Sequence, residues 1–257
     1  MGYIVNIDKD KCIGCGACVK DCPASHLRIE DKKAVIQNDM CIGCGHCYAI
    51  CPKEAVAIKN YDMSETHEIV PFTSFNSEEF LKAIRSRRTI RQFENKAIEQ
   101  EKIDKIIEAG RYSPTGANAQ DVCFTILEDN KEAAEKICVS LFRFGINSAK
   151  VVSKSLKSIN IDDNFFFKKA PLVILVSSKS HINGGLAAAY MEMMAGTLGI
   201  GTLYSGFFDT CFSLSPRLRR LIKLPNGHKL SACMVLGYPK VKYQRSAPRN
   251  KANVRKV

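Results

Sequence analysis

Cys12-Ile13-Gly14-Cys15-Gly16-Ala17-Cys18-Val19-Lys20-Asp21-Cys22-Pro23 is the stretch on which the reading of this chain turns. It recurs 29 residues later as Cys41-Ile42-Gly43-Cys44-Gly45-His46-Cys47-Tyr48-Ala49-Ile50-Cys51-Pro52, thiol on thiol and proline on proline. The same offset superposes Leu27 on Val56 and Ile29 on Ile58, so the repeat extends beyond its cysteines. Between the copies, Leu27-Arg28-Ile29 and Ala34-Val35-Ile36 flank a charged turn at residues 30–33, which predicts a short hairpin.

The spacing C-x2-C-x2-C-x3-C-P is that of a run holding a cubane iron–sulfur cluster in thiolates. In two-cluster ferredoxins the fourth cysteine of each run reaches the other cluster. The chain resembles bacterial ferredoxins here. The resemblance implies one [4Fe-4S] cluster on Cys12, Cys15, Cys18 and Cys51, a second on Cys41, Cys44, Cys47 and Cys22, and a role in electron transport. Gly14, Gly16, Gly43 and Gly45 suit tight loops whose N–H groups face an inorganic core. C-x2-C is also zinc-ligand spacing. Eight thiols in two runs of four, each closed by Cys-Pro, fit paired zinc knuckles poorly. Disulfides fit less well, because thiols two residues apart on glycine turns suit a metal better than bridges.

Hydrophobic residues make up 46% and charged residues 25% of 257 residues, an ordinary globular balance with room for two domains. The formal charge of +12 is lopsided: residues 1–60 carry eight Lys/Arg against seven Asp/Glu, leaving +11 on the remainder. No nucleic-acid module accompanies that charge, so no nucleic-acid partner is expected. Met1-Gly2-Tyr3-Ile4-Val5 runs directly into charged residues, so no signal peptide is expected. Residues 186–203 form an apolar helical stretch interrupted by Glu192 and several glycines, a buried helix rather than a membrane span. Free thiols and oxygen-sensitive clusters point to the reducing cytoplasm. Cys123, Cys138, Cys211 and Cys233 lie outside the motifs among apolar neighbours and read as buried structural thiols.

The pattern predicts domains at 1–60 and 78–257 joined by a polar linker at 61–77. Ser77-Glu78-Glu79 starts a helix with Phe80, Leu81 and Ile84 on its apolar face, and 99–109 reads as a second helix ending at Gly110. Residues 122–127, 171–176 and 231–236 read as strands, and 186–198 as a long apolar helix. The segment 148–169 is polar apart from Phe165, Phe166 and Phe167 and reads as a surface excursion. The expected class is α+β, a small two-cluster domain followed by a mixed domain with a central sheet flanked by helices.

Arg85-Ser86-Arg87-Arg88-Thr89-Ile90-Arg91 places four arginines at a helix end, and arginine forks suit phosphate. Alone, such a run is more often a solvated helix end or a general anion patch. Ser113-Pro114-Thr115-Gly116-Ala117-Asn118-Ala119-Gln120 and Gly237-Tyr238-Pro239 follow it, and the three together resemble the FMN-dependent nitroreductase family over roughly residues 78–257. The whole chain thus resembles a ferredoxin–nitroreductase fusion.

The resemblance gives Arg87, Arg88, Thr89 and Arg91 to the FMN phosphate and the polar edge of the flavin. It gives Asn118 a hydrogen bond to the flavin, with Pro114, Thr115 and Gly116 as the adjoining loop. Tyr204, Ser205 and Gly206 fall where the family places backbone N–H groups near flavin N5, and Arg245 or Arg249 supplies a further cation. Asp121-Val122 replaces the family's frequent Pro-Trp, and the chain has no Trp, so an unusual substrate surface is expected. The family also implies a homodimer with FMN between subunits.

The function implied is an oxidoreductase taking electrons from a low-potential donor, a ferredoxin or flavoprotein, through both clusters to FMN. A nitro compound, quinone or activated alkene is the acceptor. No residue reads as an essential general acid or base, and His181 and His228 read as surface or loop histidines. A non-catalytic electron carrier, a flavin-based redox sensor, or an NAD(P)H-dependent enzyme using the clusters as an exit route are the alternatives. No G-x-G-x-x-G follows a strand, which argues only against a Rossmann nucleotide site.

Overall fold

A computed structural model describes residues 3–150 and 160–257. The chain divides into two units, the first comprising residues 1–74 with Thr115–Ala119, the second Phe75–Pro114 with residues 120–257.

In the first unit the sequence repeat becomes a structural one. Strands β1 (Ile4–Ile7) and β3 (Lys33–Ile36) lie 29 residues apart, as do helices α1 (Ala17–Lys20) and α2 (His46–Ala49) and strands β2 (Leu27–Glu30) and β4 (Val56–Lys59). β1 pairs antiparallel with β4, and β2 with β3. Asp31 and Lys32, at φ 47° and 59°, make the two-residue turn of the predicted hairpin with the positive φ pair that matches strand twist. The apolar core is small: Leu27, Ala34 and Ala55 pack with Cys12 and Cys18. Residues 61–77, expected as a linker, hold two short 3-10 turns, and Tyr61 stacks on Tyr3 with centroids 5.2 Å apart.

The second unit is a four-stranded antiparallel sheet in the order β5 (Cys123–Ile126), β6 (Leu172–Ser178), β8 (Lys229–Gly237), β7 (Gly201–Tyr204). Every residue of β6 is buried because helices cover both faces. On one face Ile174, Val176, Met234 and Leu236 pack against Ile103 and Ile106 of α4 (Gln100–Arg111) and Ala187, Ala188, Met191 and Ala195 of α6 (His181–Thr197). On the other, Val173, Leu175, Cys233 and Val235 meet α5 (Lys131–Lys150), α7 (Gly206–Leu214) and α8 (Pro216–Leu221) through Ala134, Cys138, Phe208, Cys211 and Leu218. Three of the four outlying cysteines are buried, as expected, and Cys123 is half-buried.

The structure corrects two sequence expectations. The helix at 99–109 runs on through Gly110 to Arg111, and Gly110 is buried within it. The segment expected as a surface excursion contributes Phe166 and Phe167 to the core, at 1% exposure each. Residues 151–159 of that segment lie outside the described residues.

Facing glycines prepare the place for the arginine run, which follows α3 (Ser77–Ser86). Gly201 pairs with Gly237 across β7 and β8. A Cβ on Gly201 would lie 2.5 Å from the Ile90 side chain, and one on Gly237 would lie 2.8 Å from the Phe93 ring. Ile90 and Phe93 occupy the space the missing methyls leave. Ile90 N–H donates to Thr202 O at 3.0 Å and Glu94 N–H to Tyr238 O at 2.9 Å, so residues 89–94 run along the sheet end. Gly201→Ala is therefore expected to cost about 1–3 kcal/mol by overpacking, read as a lower unfolding midpoint. Gly145→Ala, in α5 where an added methyl would meet nothing within 4 Å, should instead gain about 0.5–1 kcal/mol. Equal effects at both sites would refute the packing explanation.

Candidate functional site

The eight motif cysteines sort into two cavities. Cys12, Cys15, Cys18 and Cys51 line one, and Cys22, Cys41, Cys44 and Cys47 line the other. Each ring thus takes three thiols from one copy of the repeat and the fourth from the other. Gly14 and Gly43 shape the loops at φ 67° and 64°, and a Cβ on Gly14 would lie 2.0 Å from Lys32 O.

The donor set fits a cluster better than a single ion. Four thiols surround each volume, the donor set that holds a cubane cluster. Backbone N–H groups point at the sulfurs: His26 N–H to Cys22 Sγ at 3.2 Å, and its repeat equivalent Ala55 N–H to Cys51 Sγ at 3.3 Å. Ala34 N–H reaches Cys12 Sγ and Gly43 N–H reaches Cys41 Sγ, both at 3.4 Å. Such bonds stabilise charge on cluster sulfur and set its potential. Burial pushes the Cys47 thiol up to about 11, so its thiolate needs a cation to offset desolvation. His26 Nε2 is buried beside the second cavity without a partner among the described residues.

Thr115–Ala119 belongs to this same unit. Asn118 Nδ2 donates to the carbonyls of Ile42 and Gly43, at 3.0 Å each, inside the second cysteine loop. Tyr61 OH donates to Gly43 O at 3.0 Å. The resemblance gives Asn118 to the flavin; in the structure its amide is bound to the loop between Cys41 and Cys44.

The second unit carries a larger cavity of about 570 Å³, lined in part by Arg91, Tyr204, Ser205, Gly206 and Phe207. Arg91 and the 204–206 segment, far apart in sequence, are therefore brought together on one cavity. Within that segment the donors divide. Ser205 N–H is taken by Cys233 O at 2.9 Å, and Gly206 and Phe207, which line the cavity, form the first turn of α7. Tyr204 OH donates to Ala188 O at 2.8 Å, and burial with the Glu192 carboxylate pushes its phenol up.

The arginines have distinct surroundings. Arg87 pairs with Glu192 of α6 at 2.9 Å, tying the start of the run to the helix beneath Tyr204. The Arg88 guanidinium sits 5.2 Å from the Tyr243 ring centroid, which brings the basic tail beside it. Arg245 and Arg249 are exposed, and Thr89 bridges Thr202, whose hydroxyl is buried without a partner among the described residues. Of the Gly237-Tyr238-Pro239 turn, Tyr238 serves α4: its hydroxyl bonds Glu99 and accepts from Lys102, and the first of these pulls the Glu99 carboxyl down to about 2. His181 is exposed, and His228 faces Ser177 Oγ at 3.4 Å.

Another wall, formed by Phe165, Phe166 and Lys168, is absent from the sequence reading of the site. α5 holds it in place. Lys131 Nζ donates to the carbonyls of Ala170 and Pro171, Glu135 Oε1 accepts from Phe166 and Phe167 N–H, and Arg143 binds Ile161 O and Asp163. Burial pushes the Glu135 carboxyl up, against its two backbone donors.

Comparison with known proteins agrees with this geometry. Residues 84–238 match the nitroreductase family, and residues 4–52 match the 4Fe-4S dicluster domain. The chain belongs to the nitroreductase family. A Desulfitobacterium hafniense nitroreductase solved with bound FMN superposes with a TM-score of 0.57 at 19% identity, covering 70% of this chain and 100% of that one. A Bacteroides fragilis nitroreductase with bound FMN gives 0.51 at 21% identity, covering 71% and 100%. Both likenesses establish the fold. Rat iodotyrosine deiodinase 1 is 25% identical over 179 residues, 63% of either chain, so the match spans less than two thirds of that relative. An Archaeoglobus fulgidus protein, provisionally named an NADH dehydrogenase/NAD(P)H nitroreductase, is 28% identical over 163 residues, 63% of this chain and 87% of that one. No helix among the described residues is long and apolar enough to cross a membrane.

Glu135 offers a test of how the cavity wall is held. Glu135→Ala leaves two buried N–H groups without an acceptor, at about 1–3 kcal/mol each, and should lower the melting temperature clearly. Glu135→Gln keeps the single oxygen both amides use and should retain most stability. Because the folded carboxyl titrates above its unfolded value of about 4.3, wild type should lose stability relative to Glu135→Gln as pH rises through that window. Identical pH profiles for the two proteins would refute the assignment.

Proposed function

We propose that this chain is an iron–sulfur flavoprotein oxidoreductase, with two [4Fe-4S] clusters in the first unit and FMN in the second. Electrons enter from a low-potential donor and leave to a small organic acceptor, a nitro compound, quinone or activated alkene. The observation that carries the reading is the junction of two four-thiol cavities and a nitroreductase domain in one chain. FMN, when bound, exchanges one electron or two, the chemistry needed between one-electron clusters and a two-electron acceptor.

The chain's own residues supply binding and orientation. Arg91 and the first turn of α7 direct positive charge at the polar edge of a ring in the cavity. In this reading Arg88, beside Tyr243 of the basic tail, neutralises the phosphate with Arg245 or Arg249. Arg87 acts one step back, through its ion pair with Glu192, by fixing the start of the run. Among the described residues no carboxylate or imidazole lines the cavity, which supports solvent as the source of the acceptor's protons.

A homodimer is part of the proposal. α6 exposes Ile182, Leu186 and Tyr190, spaced four residues apart, opposite the face that buries Ala187, Ala188 and Met191. α3 buries none of its residues and leaves Phe80 and Ile84 exposed. Two apolar helix faces of this kind suit a second copy.

Two measurements test the reading. Arg88→Ala should weaken FMN binding about tenfold to a hundredfold, the worth of one charged hydrogen bond, read by flavin fluorescence. Unchanged affinity would return Arg88 to the solvated surface. The net charge of +12 suits an acidic ferredoxin as donor, docked by opposite charge. Its reduction of the protein should slow steeply with salt, as the Debye length falls from about 10 Å at 0.1 M to about 3 Å at 1 M, while reduction by dithionite slows less. Rapid FMN reduction by NADH or NADPH in a cluster-free variant would contradict entry through the first unit.

A further inference from the structure

We propose that the wall formed by residues 161–170 is a subsite for the acceptor, and that it selects planar molecules carrying a carboxylate or similar single anionic group. This rests on the flavin reading above, which gives Arg91 and the α7 N-terminus to the cofactor and leaves this wall for the acceptor.

The lining has a one-sided character. It contains two cations, Arg91 and Lys168, and the aromatic side chains Phe165, Phe166 and Phe207, but no Asp or Glu among the described residues. Lys168 is half-buried, and its ammonium rests 4.5 Å from the Phe165 ring centroid. No ion pair neutralises it among the described residues, and residues 151–159 contain no acid. A ring face compensates part of an ammonium's lost hydration, and an anion completes it. Phe207, on the same lining and exposed, adds aromatic surface for a planar ligand, so cation and aromatic wall meet in one cavity.

The wall is constructed rather than incidental. Phe142 of α5 packs on Phe165, Phe166 and Phe207 at centroid distances of 5.4, 5.6 and 4.9 Å, joining the 161–170 segment to the start of α7. Lys168 and Lys169 both hold left-handed backbone, at φ 50° and 59°, a conformation side chains adopt only when their surroundings impose it. Glu135, Lys131 and Arg143 impose it by the hydrogen bonds described above. Chain polarity therefore presents Lys168 to the cavity from a fixed loop, and fixed cations discriminate by charge more sharply than mobile ones.

The test uses the oxidised protein as purified with its cofactors. Benzoate and benzyl alcohol, alike in ring and size but not charge, are titrated calorimetrically. In parallel, KM is measured for 4-nitrobenzoate and 4-nitrobenzyl alcohol. Wild type should prefer the anion by about tenfold, the worth of one charge-assisted hydrogen bond. Lys168→Gln should bring the two ligands within about twofold of each other while FMN content stays the same, and Lys168→Arg should restore the preference. No preference in wild type, or a preference that survives Lys168→Gln, overturns the proposal. If the protein holds no FMN yet Lys168→Gln abolishes benzoate binding, the anion subsite stands and the flavin reading fails.

Discussion

The first unit depends on the exchange of thiols between its two repeats. Each copy supplies three cysteines to its own cavity and sends the fourth, Cys22 or Cys51, to the other. That exchange fastens halves whose buried aliphatic residues are few, Val5, Leu27, Ala34, Ala55, Val56 and Ile58. A core of this size does not sustain a domain of about 60 residues comfortably, and metal–thiolate bonds are the usual remedy. The positive-φ glycines, the N–H groups aimed at sulfur and the two hairpin-like strand pairs all follow from placing eight thiols around two volumes.

The second unit solves a different problem, how to hold positive charge beside a cavity in a folded core. Helices on both faces bury the sheet, and the cavity opens where β7 passes into α7. Missing side chains at Gly201 and Gly237 admit Ile90 and Phe93, and these in turn carry Arg91 to the cavity edge. The opposite wall is held by charged groups of α5 bonded to backbone rather than by apolar packing alone. Such bonds tie the precision of the wall to a helix that touches the cavity only indirectly.

Much of this was legible in residues that act by spacing. The cysteine runs name their own partners once the exchange rule is applied, and the hairpin turn and the α3 start lie where the local signals put them. What escaped is tertiary. β7 is four residues beginning with glycine, and only its pairing with β8 makes it a strand. Phe166 and Phe167 sit in a polar window, and their burial depends on Glu135, 31 and 32 residues earlier in the chain. α5 did carry a signal, since Ala134, Cys138 and Phe142 recur every fourth residue. The α8 helix carried one too: Ser215 before Pro216 is a cap followed by proline at the first helical position.

The thiol exchange is the central claim, and metal analysis of anaerobically prepared protein tests it directly. About eight iron atoms and eight acid-labile sulfides per chain are expected, four of each for every four-thiol ring. Cys51→Ser should damage the cluster whose other ligands are Cys12, Cys15 and Cys18, with the second cluster's spectrum retained. Zinc without acid-labile sulfide, or loss in Cys51→Ser of the cluster held by Cys41, Cys44 and Cys47 alone, would contradict it.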